Sequence, residues 1–157
     1  MGKFCRDLEI GHAAEQQVIR LFTKCGFPCQ TNSTNLTTHD FTFQHDNKEW
    51  SVEVKFDKWQ HKSGNIAIEY FNPKLAKPSG ILATTSQFWV VVLLNGQIWM
   101  AKTDALRKHF NTEPGIRDVL SGGDGNASFR LYRDSSLFGS VFFEIDEQTL
   151  RERILND

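Results

Sequence analysis

From Leu8 to Cys25 the apolar residues Leu8, Ala14, Val18, Leu21 and Phe22 recur at helical spacing with polar positions between them. Gly26 closes that segment and Pro28 bars its continuation, so the pattern predicts a first helix over residues 8–25. The run Thr31 to His39 is rich in Thr, Asn and Ser, whose side chains compete for backbone hydrogen bonds, and predicts a loop. The period then changes to two. Asp40-Phe41-Thr42-Phe43 alternates, His45-Asp46-Asn47-Lys48 has the composition of a turn, and Trp50 to Phe56 alternates again, as two antiparallel strands of a hairpin would. In the second strand Val52, Val54 and Phe56 share one face, while Ser51, Glu53, Lys55 and Asp57 share the other.

Asn65 to Phe71 alternates in the same way. Phe88 to Leu94 is a continuous apolar run that reads as a buried strand, ended by the hairpin signal Asn95-Gly96, with Gln97 to Ala101 as its return strand. Thr103-Asp104 offers an N-cap for a helix through about Phe110. Ser121 to Asn126 is a Gly-rich loop, Ala127–Tyr132 and Val141–Ile145 are short strands, and Asp146–Leu155 is a terminal helix. No internal repeat or shift of composition divides the chain, and 157 residues suit one domain around one core. The predicted class is α/β or α+β: a central mixed sheet flanked by helices.

Composition narrows the function. No apolar run approaches the roughly 20 residues that span a bilayer, so no membrane is expected as a partner. Met-Gly-Lys-Phe-Cys-Arg-Asp at the N-terminus lacks the apolar segment of a secretory signal, and cytoplasmic residence is expected. Cys5, Cys25 and Cys29 are odd in number and lack a second ligand pair at zinc spacing, which predicts free thiols. The net charge of -1 is not that of a basic nucleic-acid binder. It is compatible with one, because bound divalent cations cancel a carboxylate-rich site and the Lys and Arg residues can gather on one face.

Cleaving a phosphodiester requires an activated water, charge neutralisation at phosphorus and help for the departing oxygen. An Asp at the start of one strand and a Glu on its neighbour can aim two carboxylates at one point, a usual arrangement for Mg²⁺ completed by waters and substrate phosphate. A Lys two residues after that Glu lies on the same face, where its ammonium can hold the water or stabilise the phosphorane. Asp40, the hairpin, then Glu53-Val54-Lys55 meet these requirements. Glu15, one turn from Gly11 and His12 on the first helix, is a candidate fourth member.

This constellation resembles the PD-(D/E)XK nuclease superfamily over about Leu8 to Leu94, with His39 standing where the family has Pro before its Asp. The resemblance implies a restriction-endonuclease-like core over about residues 8–101 within a single domain of residues 1–157. Residues 102–157 would then be an extension serving DNA recognition or oligomerisation. It matches Glu15 to the helix carboxylate, Asp40 and Glu53 to the metal-binding pair and Lys55 to the catalytic lysine, and adds the Val54 carbonyl as a metal ligand. It further implies Mg²⁺, with Mn²⁺ as a substitute, a homodimer or higher homo-oligomer, and a phage- or mobile-element-encoded enzyme.

The stretch Ser63 to Tyr70, with Pro78-Ser79-Gly80-Ile81 and Thr84-Thr85, looks like the part after the Lys in phage-type members and archaeal Holliday-junction resolvases. The expected function is therefore a Mg²⁺-dependent endodeoxyribonuclease. Its substrate is double-stranded or branched DNA: a junction, a long homing-type site or a short restriction-type site. The rival is a DNA-binding or assembly protein that keeps the fold without catalysis.

Several residues carry second readings. Glu69 shares a strand face with Asn65 and Ala67 and is expected to border the site rather than bind metal. Gln60, His61 and Lys62 follow the catalytic strand, where phosphate contact and idle solvation are equally open. His12 and His39 flank the matched carboxylates but are expected at a helix surface and in a loop. Trp59, Phe71, Phe88, Trp89 and Trp99 are expected to pack within the protein more often than to stack on bases. The Gly122 to Gly125 loop lacks the context of a phosphate-binding loop. Arg107, Lys108, Arg117, Arg130 and Arg133, and the polar loop from Thr31 to Thr38, are candidates for a DNA-reading element.

Overall fold

The computed structural model describes residues 3–32, 39–122 and 125–156, with side chains from residue 6 onward. The Cys5 side chain, residues 33–38 of the predicted polar loop and residues 123–124 of the Gly-rich loop lie outside the described residues.

Helix α1 (Lys3–Lys24) starts one turn earlier than the apolar spacing predicts, because nothing before Leu8 breaks a helix and its first turns need no core. Leu8 itself is exposed, while Ala14, Val18 and Phe22 are buried. Gly26, at φ +90°, ends the helix in the left-handed conformation that glycine alone adopts freely.

Strand β1 (Cys29–Thr31) leads to the hairpin of β2 (Phe41–His45) and β3 (Lys48–Asp57). Asp46 and Asn47 both take positive φ, and His45 pairs with Lys48, so a two-residue turn with the strands' own twist sets the register. After the short helix α2 (Gln60–Ser63) come β4 (Asn65–Asn72), β5 (Lys77–Pro78) and a 3₁₀ turn at Gly80–Leu82. The hairpin of β6 (Phe88–Leu93) and β7 (Ile98–Lys102) then feeds α3 (Thr103–Thr112). The chain ends with β8 (Arg117–Gly122), β9 (Ala127–Arg133), α4 (Asp134–Leu137), β10 (Phe143–Glu144) and α5 (Thr149–Leu155).

Among the described residues the strands form two sheets. A six-stranded mixed sheet runs β1-β2-β3-β6-β7-β10, with β3 and β6 parallel and its other pairs antiparallel. The predicted central mixed sheet flanked by helices is therefore present. The pattern did not separate out a second, antiparallel sheet, β5-β4-β9-β8. β10 is two residues rather than five, α5 begins at Thr149 because Asp146 spends its carboxylate on the Gln148 and Thr149 amides, and Ser121-Gly122 belong not to a loop but to β8, a strand the pattern did not predict.

Strand β6 explains its continuous apolar run, since both of its faces are covered. Phe88, Val90 and Val92 join α1, Val52, Val54, Leu150 and Ile154 in one core cluster, and Trp89, Val91 and Leu93 join Ile66, Ile68, Leu106 and Tyr132 in a second. Residues 102–157 are woven into both layers: β10 extends the main sheet beside β7, β9 pairs with β4, and α5 contributes Leu150 and Ile154 to the core. Among the described residues no helix is long and apolar enough to cross a membrane.

Candidate active site

The site lies where β2 begins and β3 runs on beyond it. The Asp40 amide donates to the Val52 carbonyl at 2.9 Å, and pairing with β2 starts at Phe41 opposite Val52. In a strand the N–H and C=O of one residue point to the same edge, so Val54, two residues on, turns both toward the side that β2 has just left. The Asp40 carboxylate fills that place, its Oδ2 accepting the Val54 N–H at 2.7 Å. The Val54 carbonyl opens onto the same edge.

Glu53 and Lys55, on either side of Val54, point to the opposite sheet face from the Val52 and Val54 side chains. Register with β6 sets Glu53 beside Trp89 and Lys55 beside Val91. Lys55 Nζ is 2.6 Å from Glu53 Oε1 and 5.5 Å from the centroid of the Trp89 ring. The Glu53 side chain is 15% exposed and that of Lys55 38% exposed, so the carboxylate is largely covered while the ammonium keeps access to solvent.

The electrostatics are those of crowded anions around one cation. Burial pushes the Asp40 carboxyl upward, against the Val54 hydrogen bond and the Lys55 charge. Burial raises Glu53 as well; Lys55 opposes this and Asp40 adds to it. Burial alone would lower Lys55, but Glu53, then Glu69 and Asp40, outweigh it and hold the ammonium charged. Glu15 on α1 is raised by burial and by the Asp40 charge, and it feels Lys55 from the other sign. The His12 ring lies beside it, Nδ1 3.5 Å from Glu15 Oε2. The fold thus brings Glu15, Asp40, Glu53 and Lys55 into one electrostatic unit. Among the described residues no three His, Cys, Asp or Glu side chains close around one point. The donor set is two carboxylates and a backbone carbonyl, hard oxygen ligands that suit a divalent cation retaining waters.

Glu69 on β4 joins this unit through its charge on Glu53 and Lys55. The structure fixes its position by Gly80, at φ +50°: a Cβ there would stand 2.1 Å from the Glu69 carbonyl oxygen. The sequence placed Glu69 at the border of the site. Gly80 carried no signal beyond being a glycine after Ser79. Asp57, on the polar face of β3, turns out to be a corner: its Oδ1 accepts the Trp59 and Gln60 amides at 2.9 Å each.

Several of the other candidates have partners of their own. His39 shares a 3.1 Å hydrogen bond with Asn32 at the end of β1, and His12 is largely exposed. Gln60 donates to Asp134 at 2.7 Å. Arg107, offered as a DNA-reading residue, instead clamps the loop around the 3₁₀ turn through the Ile81 and Thr84 carbonyls. Arg130 pairs with Asp118, donates to the Phe110 carbonyl and lies over the Phe110 ring. Both contribute hydrogen bonds that tie the fold together. Lys108, Arg117 and Arg133 remain exposed. Phe88 and Trp89 are core, Trp99 stacks on Phe138, and Trp59 alone of the named aromatics is exposed. Cys25 and Cys29 are free thiols.

No protein-family model and no curated protein sequence matches the chain. Its fold does match a solved structure described as "The structure of a bacterial homing endonuclease: I-Ssp6803I", with a TM-score of 0.55 and 18% sequence identity. The match covers 68% of this chain and 74% of that one. The chain therefore shares its mixed α/β fold with that structure.

Proposed function

We propose that this chain is a divalent-metal-dependent endodeoxyribonuclease of the PD-(D/E)XK type. The observation that carries the reading is the Asp40 carboxylate seated on the Val54 amide, between Glu53 and Lys55. The fold shared with a homing endonuclease supports it. Asp40, Glu53 and the Val54 carbonyl would hold Mg²⁺ or Mn²⁺, with Glu15 assisting directly or through a water. When bound, such an ion supplies a Lewis acid for the phosphoryl oxygens and lowers the pKa of a water.

The chain's own residues do the rest. Lys55, kept charged by Glu53 and Glu69, orients the attacking water and offsets negative charge as phosphorus becomes pentacovalent. Glu53 holds the ammonium in place, and Asp40, oriented by the Val54 amide, cannot swing away from the scissile phosphate. One such site serves one strand, so duplex cleavage calls for two copies of the chain, a homodimer or higher homo-oligomer.

The test is cleavage of a plasmid and of a synthetic four-way junction with Mg²⁺, comparing wild type with Lys55→Ala and Asp40→Ala. Wild type should cut and both variants should lose roughly 10²-fold or more of the rate. Discrete plasmid fragments identify a site-specific enzyme and cutting confined to the junction a structure-specific one. No cutting of any DNA by wild type overturns the proposal in favour of a binding protein.

A further inference from the structure

Trp59 is the one large aromatic left mostly in solvent among the described side chains, 60% exposed. It stands where β3 turns into α2, four residues after Lys55. At ~3.3 Å per residue that is at most about 13 Å along the strand, the span of a few nucleotides. Its backbone is held rigidly. The amides of Trp59 and Gln60 both bond Asp57 Oδ1 at 2.9 Å, and the Trp59 carbonyl accepts from the Lys62 and Ser63 amides at 3.0 Å each. Two ammonium groups flank the ring, Lys58 Nζ at 5.6 Å and Lys62 Nζ at 5.9 Å from its centroid. Lys58 also reaches Asp7 of α1 at 3.5 Å, and His61 is exposed beside them. An exposed aromatic ring with two cations lying over it, beside a phosphodiester-cleaving site, matches a nucleotide: a flat base can take the ring face and its phosphates can take the cations it displaces.

We infer that Trp59, Lys58 and Lys62 form a stacking site for an unpaired base of the DNA strand entering the active site. The chain therefore selects DNA with a single-stranded flank beside the cut. This substrate class rests on the nuclease reading above. Magnitudes favour the exchange. An exposed cation over an aromatic ring is worth roughly two- to fivefold in a binding constant. A base stacked on the same ring is worth roughly 5- to 150-fold. The displaced ammonium gains a phosphate instead of losing its partner. A paired base inside a duplex presents no free face and gains nothing from Trp59.

The experiment measures binding of the full chain, in chelator, to a blunt duplex and to the same duplex carrying a short single-stranded flank. Wild type should bind the flanked DNA at least about fivefold more tightly, with quenching of indole fluorescence by that DNA alone. Trp59→Ala should abolish both the preference and the quench while leaving blunt-duplex affinity within about twofold, and Trp59→Phe should keep the preference. Replacing Lys58 and Lys62 together by Gln should reduce the salt slope of flanked-DNA binding by about 1.4. Should Trp59→Ala fold poorly, the wild-type quench and the lysine variant decide.

Equal wild-type affinity for the two DNAs, or equal weakening of both by Trp59→Ala, overturns the inference. Cleavage of DNA without the preference removes the stacking site alone. A preference without cleavage in Mg²⁺ removes the nuclease reading and leaves the stacking site standing.

Discussion

The Asp40 carboxylate accepts the Val54 amide at 2.7 Å, which puts an acidic side chain from one strand onto the peptide between an acid and a base of the next. That bond sets the lateral position of Asp40 against Glu53 and Lys55. It is made at the first position where β2 no longer covers β3, so the end of a strand pairing, not a loop, builds the site.

Asp40→Asn keeps an oxygen that can accept the Val54 N–H and removes the desolvated charge. The folded chain binds the Asp40 proton more tightly than the unfolded chain does. Its stabilising contribution is thus complete below the unfolded value of roughly 4 and is lost as pH rises through the raised folded value. In chelator the variant should match wild type below about pH 4 and melt higher at neutral pH, by roughly 2–4 °C if about 1 kcal/mol is recovered. Thermal melts across this pH range check it, and a variant that melts lower at neutral pH contradicts it.

With Mg²⁺ the order should reverse. An ion bound only by the folded chain stabilises it by about 2.7 kcal/mol at one hundred times its dissociation constant. Wild type should gain several degrees on adding Mg²⁺, and Asp40→Asn or Glu53→Gln should gain little. Equal gains for all three, measured in the same melts, would exclude the ion from this site.

Gly80→Ala should destabilise the chain. The added methyl would stand 2.1 Å from the Glu69 carbonyl oxygen and 2.6 Å from its carbon, and the backbone at φ +50° resists a side chain. The expected loss is at least about 2 kcal/mol, or roughly 4–8 °C. Because Glu69 acts on Glu53 and Lys55, the variant should also lose cleavage at temperatures where it is still folded. An unchanged melting temperature would show that the two backbones part easily.

Gly11→Ala should do the opposite. Gly11 lies within α1, and a Cβ there meets nothing within 4 Å. Relieving the helix of its glycine gains about 1 kcal/mol, a rise of roughly 2–4 °C. Calorimetry of the single variant is sufficient, and a fall in melting temperature counts against an open helix surface at Gly11.

What the sequence determined by itself is what periodicity and local chemistry determine. The spacing of Ala14, Val18 and Phe22 makes a helix with one buried stripe, Asp46-Asn47 makes a two-residue turn, and the unbroken run from Phe88 makes a strand covered on both faces. Glu53 and Lys55 fall on one face because a strand alternates, and Asp40 meets them because a two-residue turn fixes the register of the hairpin. These are short-range facts. Tertiary structure decided where β4 goes. It alternates like β3, and alternation does not name a partner; only the apolar faces of Ile66, Ile68 and Tyr132, buried against β6, bring it to β9 more than fifty residues later. The same long-range packing presses Gly80 onto Glu69, commits Arg107 and Arg130 to the fold, and leaves Trp59 in solvent. None of these follows from spacing, because each depends on which surfaces remain to be buried after the strands have paired.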